Sequence, residues 1–151
     1  LSQIANITVY DGASAPVAHT LTAISVTRVN GSKIIAEYRE NLASVPVYAQ
    51  VSCTMTLEVL KSGVTKVEQR VSVPVMEAIL NQNAAGYTAA PKVAYVNTLI
   101  TTGLFHPRSD VTGRRLVRQL AVNLAGNIAT SVAPVTTGPF PELLDTLVAP
   151  T

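Results

Sequence analysis

Residues 50–59 alternate without a break. Val51, Cys53, Met55, Leu57 and Val59 form one set, and Gln50, Ser52, Thr54, Thr56 and Glu58 form the other. Period two over ten residues means a β-strand with one buried and one wet face, and such a strand belongs to an antiparallel sheet. Lys61-Ser62-Gly63 then turns the chain. On the return strand Val67, Val71, Val73 and Val75 fall on the buried face, while Lys66, Glu68, Arg70 and Ser72 fall on the wet one. Pro74 marks its end, because proline cannot donate to a central ladder.

Shorter runs on either side extend the sheet. Ile7 and Val9 alternate with Thr8 and Tyr10 before an Asp11-Gly12 turn. Residues 17–29 read as a second strand, with Leu21 and Ala23 on one face and Thr20, Thr22, Ile24 and Val26 on the other. Asn30-Gly31 is a strong hairpin signal, and residues 33–40 form the third strand. Residues 76–91 contain Asn81-Gln82-Asn83-Ala84-Ala85-Gly86 and read as a long mobile loop. Residues 92–102 return to strand.

The period then changes. Ser109-Asp110 is an N-cap signal. Leu116, Val117, Leu120, Ala121 and Leu124 make one stripe of a helix over 109–125, and Gly126 is its stop. A Thr/Pro/Gly linker follows, and Pro141-Glu142 opens a short second helix carrying Leu143, Leu144, Leu147 and Val148. The order predicts a single α+β domain over 1–151, an antiparallel meander followed by two helices. The N-terminal hairpin region occupies 1–30 and the main sheet 33–102. The linker and second helix occupy 126–151. Two short helices cannot cover one face of so wide a sheet, and a second subunit's helices would supply the rest.

Composition narrows function. Charged residues make up 13% of the 151 and the net charge is +2, with a mean hydropathy of +0.32. Disordered tails and polycationic nucleic-acid condensers are excluded. The longest charge-free stretch, 119–141, contains Asn, Thr, Gly and three Pro, so a membrane span is not expected. The N-terminus lacks a signal-peptide pattern, and the one cysteine, Cys53, can form neither an internal disulfide nor a Cys-rich zinc site. A reducing compartment is the simplest expectation.

Catalytic chemistry is sparse. No metalloprotease, nucleophile-elbow, phosphate-loop or dinucleotide motif occurs. His19 falls within a strand, His106 in a strand-to-helix loop, and Cys53 on the buried face, all ordinary structural settings. Glu37 and Glu40 lie three apart on a strand and so face opposite ways. No enzyme activity, cofactor, metal or small-molecule substrate is expected. A small β-sheet enzyme would require a cluster around His19 or His106. Arg114, Arg115 and Arg118 form the densest basic group. A solvated outer helix face is the expectation there, with a phosphate site as the alternative.

The wet sheet face offers binding chemistry. Lys66 and Arg70 share one side of a strand beside the short polar groups of Ser52, Thr54 and Thr56. Tyr95 and Asn97 share one face of a later strand. Cations bind phosphate, a tyrosine ring stacks on an unpaired base, and an asparagine bonds a base edge. Together they predict a flat platform for single-stranded RNA. Glu58 and Glu68 on the same face argue mildly against it, and a merely solvated sheet face is the plain alternative.

Four segments resemble the coat proteins of the small single-stranded RNA bacteriophages, the leviviruses. They are Ile34-Ile35-Ala36-Glu37-Tyr38-Arg39, Val51-Ser52-Cys53-Thr54-Met55, Val71-Ser72-Val73-Pro74, and Tyr95-Val96-Asn97 followed by Phe105 and an Asp-bearing helix start. Their order and spacing hold over residues 5–125. The resemblance implies an interlocked homodimer in which each chain's helices cover the other's sheet. It further implies an icosahedral shell built in the bacterial cytoplasm, and a virion location. The polar face would line the interior against genomic RNA. By position, Ser52, Thr54, Thr56, Lys66, Arg70, Tyr95 and Asn97 would be the RNA-binding residues. In several members this face also grips a replicase-gene hairpin and represses translation. Thr56 and Gln50 stand where the family carries basic residues, which favours nonspecific packaging. The rival expectation is a dimeric RNA-binding regulator that forms no shell.

Overall fold

The computed structural model describes residues 3–77, 85–86 and 90–151. Six strands form one antiparallel sheet in sequence order: β1 (Ile7–Tyr10), β2 (Ala18–Val29), β3 (Lys33–Glu40), β4 (Ser52–Val59), β5 (Thr65–Met76) and β6 (Val93–Phe105). Two helices follow, α1 (Val111–Ala125) and α2 (Pro139–Asp145). The meander arises because consecutive amphipathic strands are joined by tight turns. Asn30 and Gly31 both adopt left-handed backbone between β2 and β3, a conformation that asparagine and glycine tolerate best. Of the long loop predicted at 76–91, Met76 ends β5 and the Glu77 amide donates to the Lys92 carbonyl. Most of the remainder lies outside the described residues.

All the buried strand residues of the core sit on one face of the sheet. Tyr38, Cys53 and Val71 are cross-strand neighbours, as are Ala36, Met55 and Gln69, and Ile34, Leu57 and Val67. Leu143, Leu144 and Ala149 join this cluster from α2 and the C-terminal segment. Gly103 permits the contact with α2. A Cβ there would lie 2.8 Å from the Phe105 ring and 3.2 Å from Leu144 Cδ2. The chain ends beside its own N-terminal segment, where the Ile4 amide donates to the Thr151 carbonyl at 2.8 Å.

The second strand departs from its predicted phase. A bulge between Ala23 and Ser25 lets Val26 pair with Ala36, so Val26 faces the core with Leu21 and Ala23. An extra residue in a strand reverses the alternation beyond it. Ser25 and Thr27 thereby turn to the polar face.

The first helix is capped as expected, with the Asp110 carboxylate accepting from the Gly113 amide at 2.7 Å. Its faces are the reverse of the expectation. Leu116, Val117, Leu120 and Leu124 are exposed, Leu124 to 80%. Arg114 and Arg118 are buried instead, which corrects the reading of a solvated basic face. Both point at α2, where Asp145 is wholly buried. Arg118 Nε and Nη2 donate to Asp145 Oδ1 and Oδ2 at 2.8 and 2.9 Å, and Arg115 Nε donates to Oδ2 at 3.0 Å. Arg114 Nε donates to the Asp145 carbonyl at 2.8 Å. Burial pushes the Asp145 carboxyl up, but the hydrogen bonds from Arg118 and Arg115 outweigh it and hold the group below the usual carboxylate range. These arginines dock α1 onto α2.

Candidate nucleic-acid interface

The polar face can be read as rows that cross the sheet, because directly paired residues of neighbouring strands point the same way. One row runs Thr22, Arg39, Ser52, Ser72, Thr98. The next is Ser25, Glu37, Thr54, Arg70, Ile100, and then Thr27, Ile35, Thr56, Glu68, Thr102. The last is Val29, Lys33, Glu58, Lys66, Leu104. Five of the seven predicted site residues, Ser52, Thr54, Thr56, Lys66 and Arg70, therefore lie on one continuous face. The sequence reading missed Lys33 and Arg39, although the alternation of Lys33, Ile35, Glu37 and Arg39 against Ile34, Ala36 and Tyr38 was available to find them.

Tyr95 and Asn97 do not lie there. Tyr95 is paired with Val75 and Asn97 with Val73, so both share the face of Val71 and Cys53. The expectation of a single surface for all seven residues is corrected in this respect. Residues two apart share a face, but only the register between strands tells which one. β6 carries no phase of its own, since it is an exposed edge strand with Leu99 and Ile100, and Thr101 and Thr102, side by side.

Electrostatically the polar face is mixed. Lys66 Nζ lies 3.0 Å from Glu68 Oε2, and Arg70 Nη2 lies 3.5 Å from Glu68 Oε1. The hydrogen bond from Lys66, helped by Arg70, holds the Glu68 carboxyl below its ordinary range. Lys33 approaches Glu58 at 4.0 Å, and Ser25 Oγ donates to Glu37 at 2.9 Å. Such partly exposed pairs are weak and exchangeable, so a phosphate can compete for these cations.

The remaining reactive groups have structural partners. His19 Nδ1 sits 2.6 Å from Glu40 Oε1 and joins β2 to β3. His106 Nδ1 accepts from the Arg108 amide at 3.1 Å within its loop. Burial pushes the Cys53 thiol up, which disfavours the thiolate a nucleophile needs. Among the described residues no group of three or more His, Cys, Asp or Glu side chains could hold a metal ion.

The family model for levivirus coat protein matches residues 2–138. The chain belongs to the levivirus coat protein family. It is accordingly a structural capsid component of the virion and not an enzyme. Solved structures agree on the fold. A virus-like particle of bacteriophage EMS014 is similar at 27% identity with a TM-score of 0.71, over 98% of this chain and 99% of that one. A virus-like particle of bacteriophage ESE058 matches at 19% identity and TM-score 0.70, over 97% and 98%. The capsid protein of bacteriophage GA matches at 15% identity and TM-score 0.54, over 95% and 94%. No curated protein matches the sequence. The polar sheet face of this coat protein carries three carboxylates, Glu37, Glu58 and Glu68, among its cations.

Proposed function

We propose that this coat protein forms dimers, that the dimers assemble into a shell, and that the polar sheet face holds single-stranded RNA inside it. The observation that carries the RNA assignment is the register. It gathers Lys33, Arg39, Lys66 and Arg70 with the hydroxyls of Ser52, Thr54 and Thr56 on the face opposite the core. Cations draw in the phosphate backbone, and hydroxyls exchange hydrogen bonds with phosphates, bases and ribose. Tyr95 and Asn97 lie outside this platform and contact RNA only if a strand end or an assembly contact brings it to them. The paucity of unpaired cations favours sequence-tolerant packaging over grip on one hairpin.

Three features of the single chain support a dimer. The helix stripe Leu116, Val117, Leu120 and Leu124 is exposed. The core face leaves an apolar groove of about 410 Å³ lined by Ile7, Val9, Leu21, Met55, Val71 and Val73. The 13-residue strand β6 is an open edge, with Val96, Leu99, Ile100 and Leu104 exposed. An edge of this length is a template for another strand. A second copy related by a two-fold axis satisfies all three at once, pairing β6 with β6 and seating each α1 over the other sheet. Neighbours of known structure are virus-like particles. Their assembly supports the shell, and membership in a coat-protein family speaks against a regulator that stops at the dimer.

The experiment is expression followed by electron microscopy and measurement of encapsidated RNA. Particles containing RNA are expected. Lys66→Ala with Arg70→Ala should reduce the RNA content of particles while the dimer persists. Loss of the dimer in this variant would mean that the polar face is an interface instead.

A further inference from the structure

We infer that Arg39, with the hydroxyl row that flanks it, is a phosphate-binding subsite for the packaged RNA. The inference rests on the RNA reading of the polar face and goes beyond it by singling out a residue and its ligand atoms.

Arg39 differs from the other cations of this face. Lys33, Lys66 and Arg70 each lie within 4.0 Å of a carboxylate. Arg39 makes no ion pair and no side-chain hydrogen bond among the described residues, and its Nε is buried without a partner. The nearest carboxylates along its own strand are engaged elsewhere. Glu37 accepts from Ser25, and Glu40 faces the opposite side of the sheet, where it meets His19. A half-buried guanidinium without an anion is a poor end state for a folded chain, because its Nε has given up water without a replacement.

Its surroundings suit a phosphodiester. The register sets Arg39 directly between Thr22 and Ser52, with Ser72 and Thr98 next along the row. Ser72 Oγ and Thr98 Oγ1 already lie 3.1 Å apart. This is the one row of the face with a cation and no carboxylate. The planar guanidinium fork matches two phosphate oxygens, which a point charge does not. The neighbouring hydroxyls can donate to the same phosphate or accept from a ribose 2′-hydroxyl. Arg70 lies one row down and two strands across, about 12 Å away by ordinary strand spacing. An RNA backbone crossing the sheet obliquely can meet both.

The test measures binding of a mixed-sequence single-stranded RNA 20-mer to purified dimers across a salt series. Arg39→Gln should weaken binding several-fold and flatten the log–log salt slope by roughly 0.7, the value for one phosphate contact to a single strand. Arg39→Lys should keep the slope and recover part of the affinity. Unchanged affinity and slope in Arg39→Gln, with Lys66→Ala/Arg70→Ala still weakening binding, would overturn the subsite and leave the platform standing. Unchanged binding in both variants would overturn the platform itself. Should Arg39→Gln not yield folded dimers, Ser72→Ala with Thr98→Ala serves instead. It should lose affinity at constant salt slope, and wild-type affinity in that pair would overturn the subsite.

Discussion

Replacing Asp145 by asparagine removes one negative charge from the contact between α1 and α2 and little volume. Asp145 is wholly buried and Arg118 is 7% exposed by side chain, so the change leaves a buried guanidinium facing a neutral amide. Breaking one side of a buried pair costs about 3–5 kcal/mol. Carbonyl contacts that survive the substitution place this case near the lower end. Arg118 keeps its bond to the Val135 carbonyl at 2.7 Å, and Arg114 keeps those to the Ser109 and Asp145 carbonyls. A loss of about 3 kcal/mol lowers the melting temperature of a chain this size by about 6–12 °C. The assay is thermal or urea unfolding at fixed protomer concentration, since association also stabilises. The pH dependence supplies a second reading. The folded-state pKa of Asp145 is depressed, so its contribution is present above the unfolded carboxylate value, about 4, and is lost as pH falls through the folded value. Part of the acid sensitivity of the parent should therefore be missing from Asp145→Asn. Arg115→Gln is the control. At 34% exposure its pair with Asp145 should contribute less than about 1 kcal/mol. A variant Asp145→Asn within about 1 kcal/mol of the parent, or an Arg115→Gln as damaging as it, would refute the reasoning.

Three further outcomes are expected. Leu120→Ser with Leu124→Ser should leave the fold intact by circular dichroism and shift the chain toward monomer by light scattering, because both side chains are exposed in the single chain and each buried leucine is worth about 1.5–3 kcal/mol in an interface. Gly103→Ala should destabilise by about 1–3 kcal/mol in urea, since its methyl group would press on the Phe105 ring and Leu144. Glu68→Gln should tighten RNA binding and steepen its salt dependence, because Lys66 and Arg70 then lose the carboxylate that occupies them.

The strands were legible because each carries its own evidence. Alternation in 50–59 and 65–75 states which residues share a face, and Asn30-Gly31 and Lys61-Ser62-Gly63 state where the chain reverses. Asp110 and Gly126 marked the ends of α1 for the same local reason. The polar platform was correspondingly legible within β4 and β5, whose apolar partners fix its phase. The coat-protein assignment could be reached too, since it rests on the order of short motifs along the chain.

What the sequence could not decide was every relation between elements. Whether Tyr95 and Asn97 face Arg70 or Val71 depends on the register of β6 against β5, and a shift of one residue would exchange the two faces. The bulge at Ile24 turns Val26 inward by the same rule of parity. A helical wheel showed that the leucines and arginines of α1 lie on different sides, but not which side meets the protein. Hydrophobicity alone would put the leucines inward. The decision came from a single carboxylate 27 residues beyond Arg118: Asp145 neutralises buried arginines and so allows the apolar stripe to remain outside. Local pattern follows from backbone geometry and is written in neighbouring residues, whereas facing depends on partners that only the folded chain brings together.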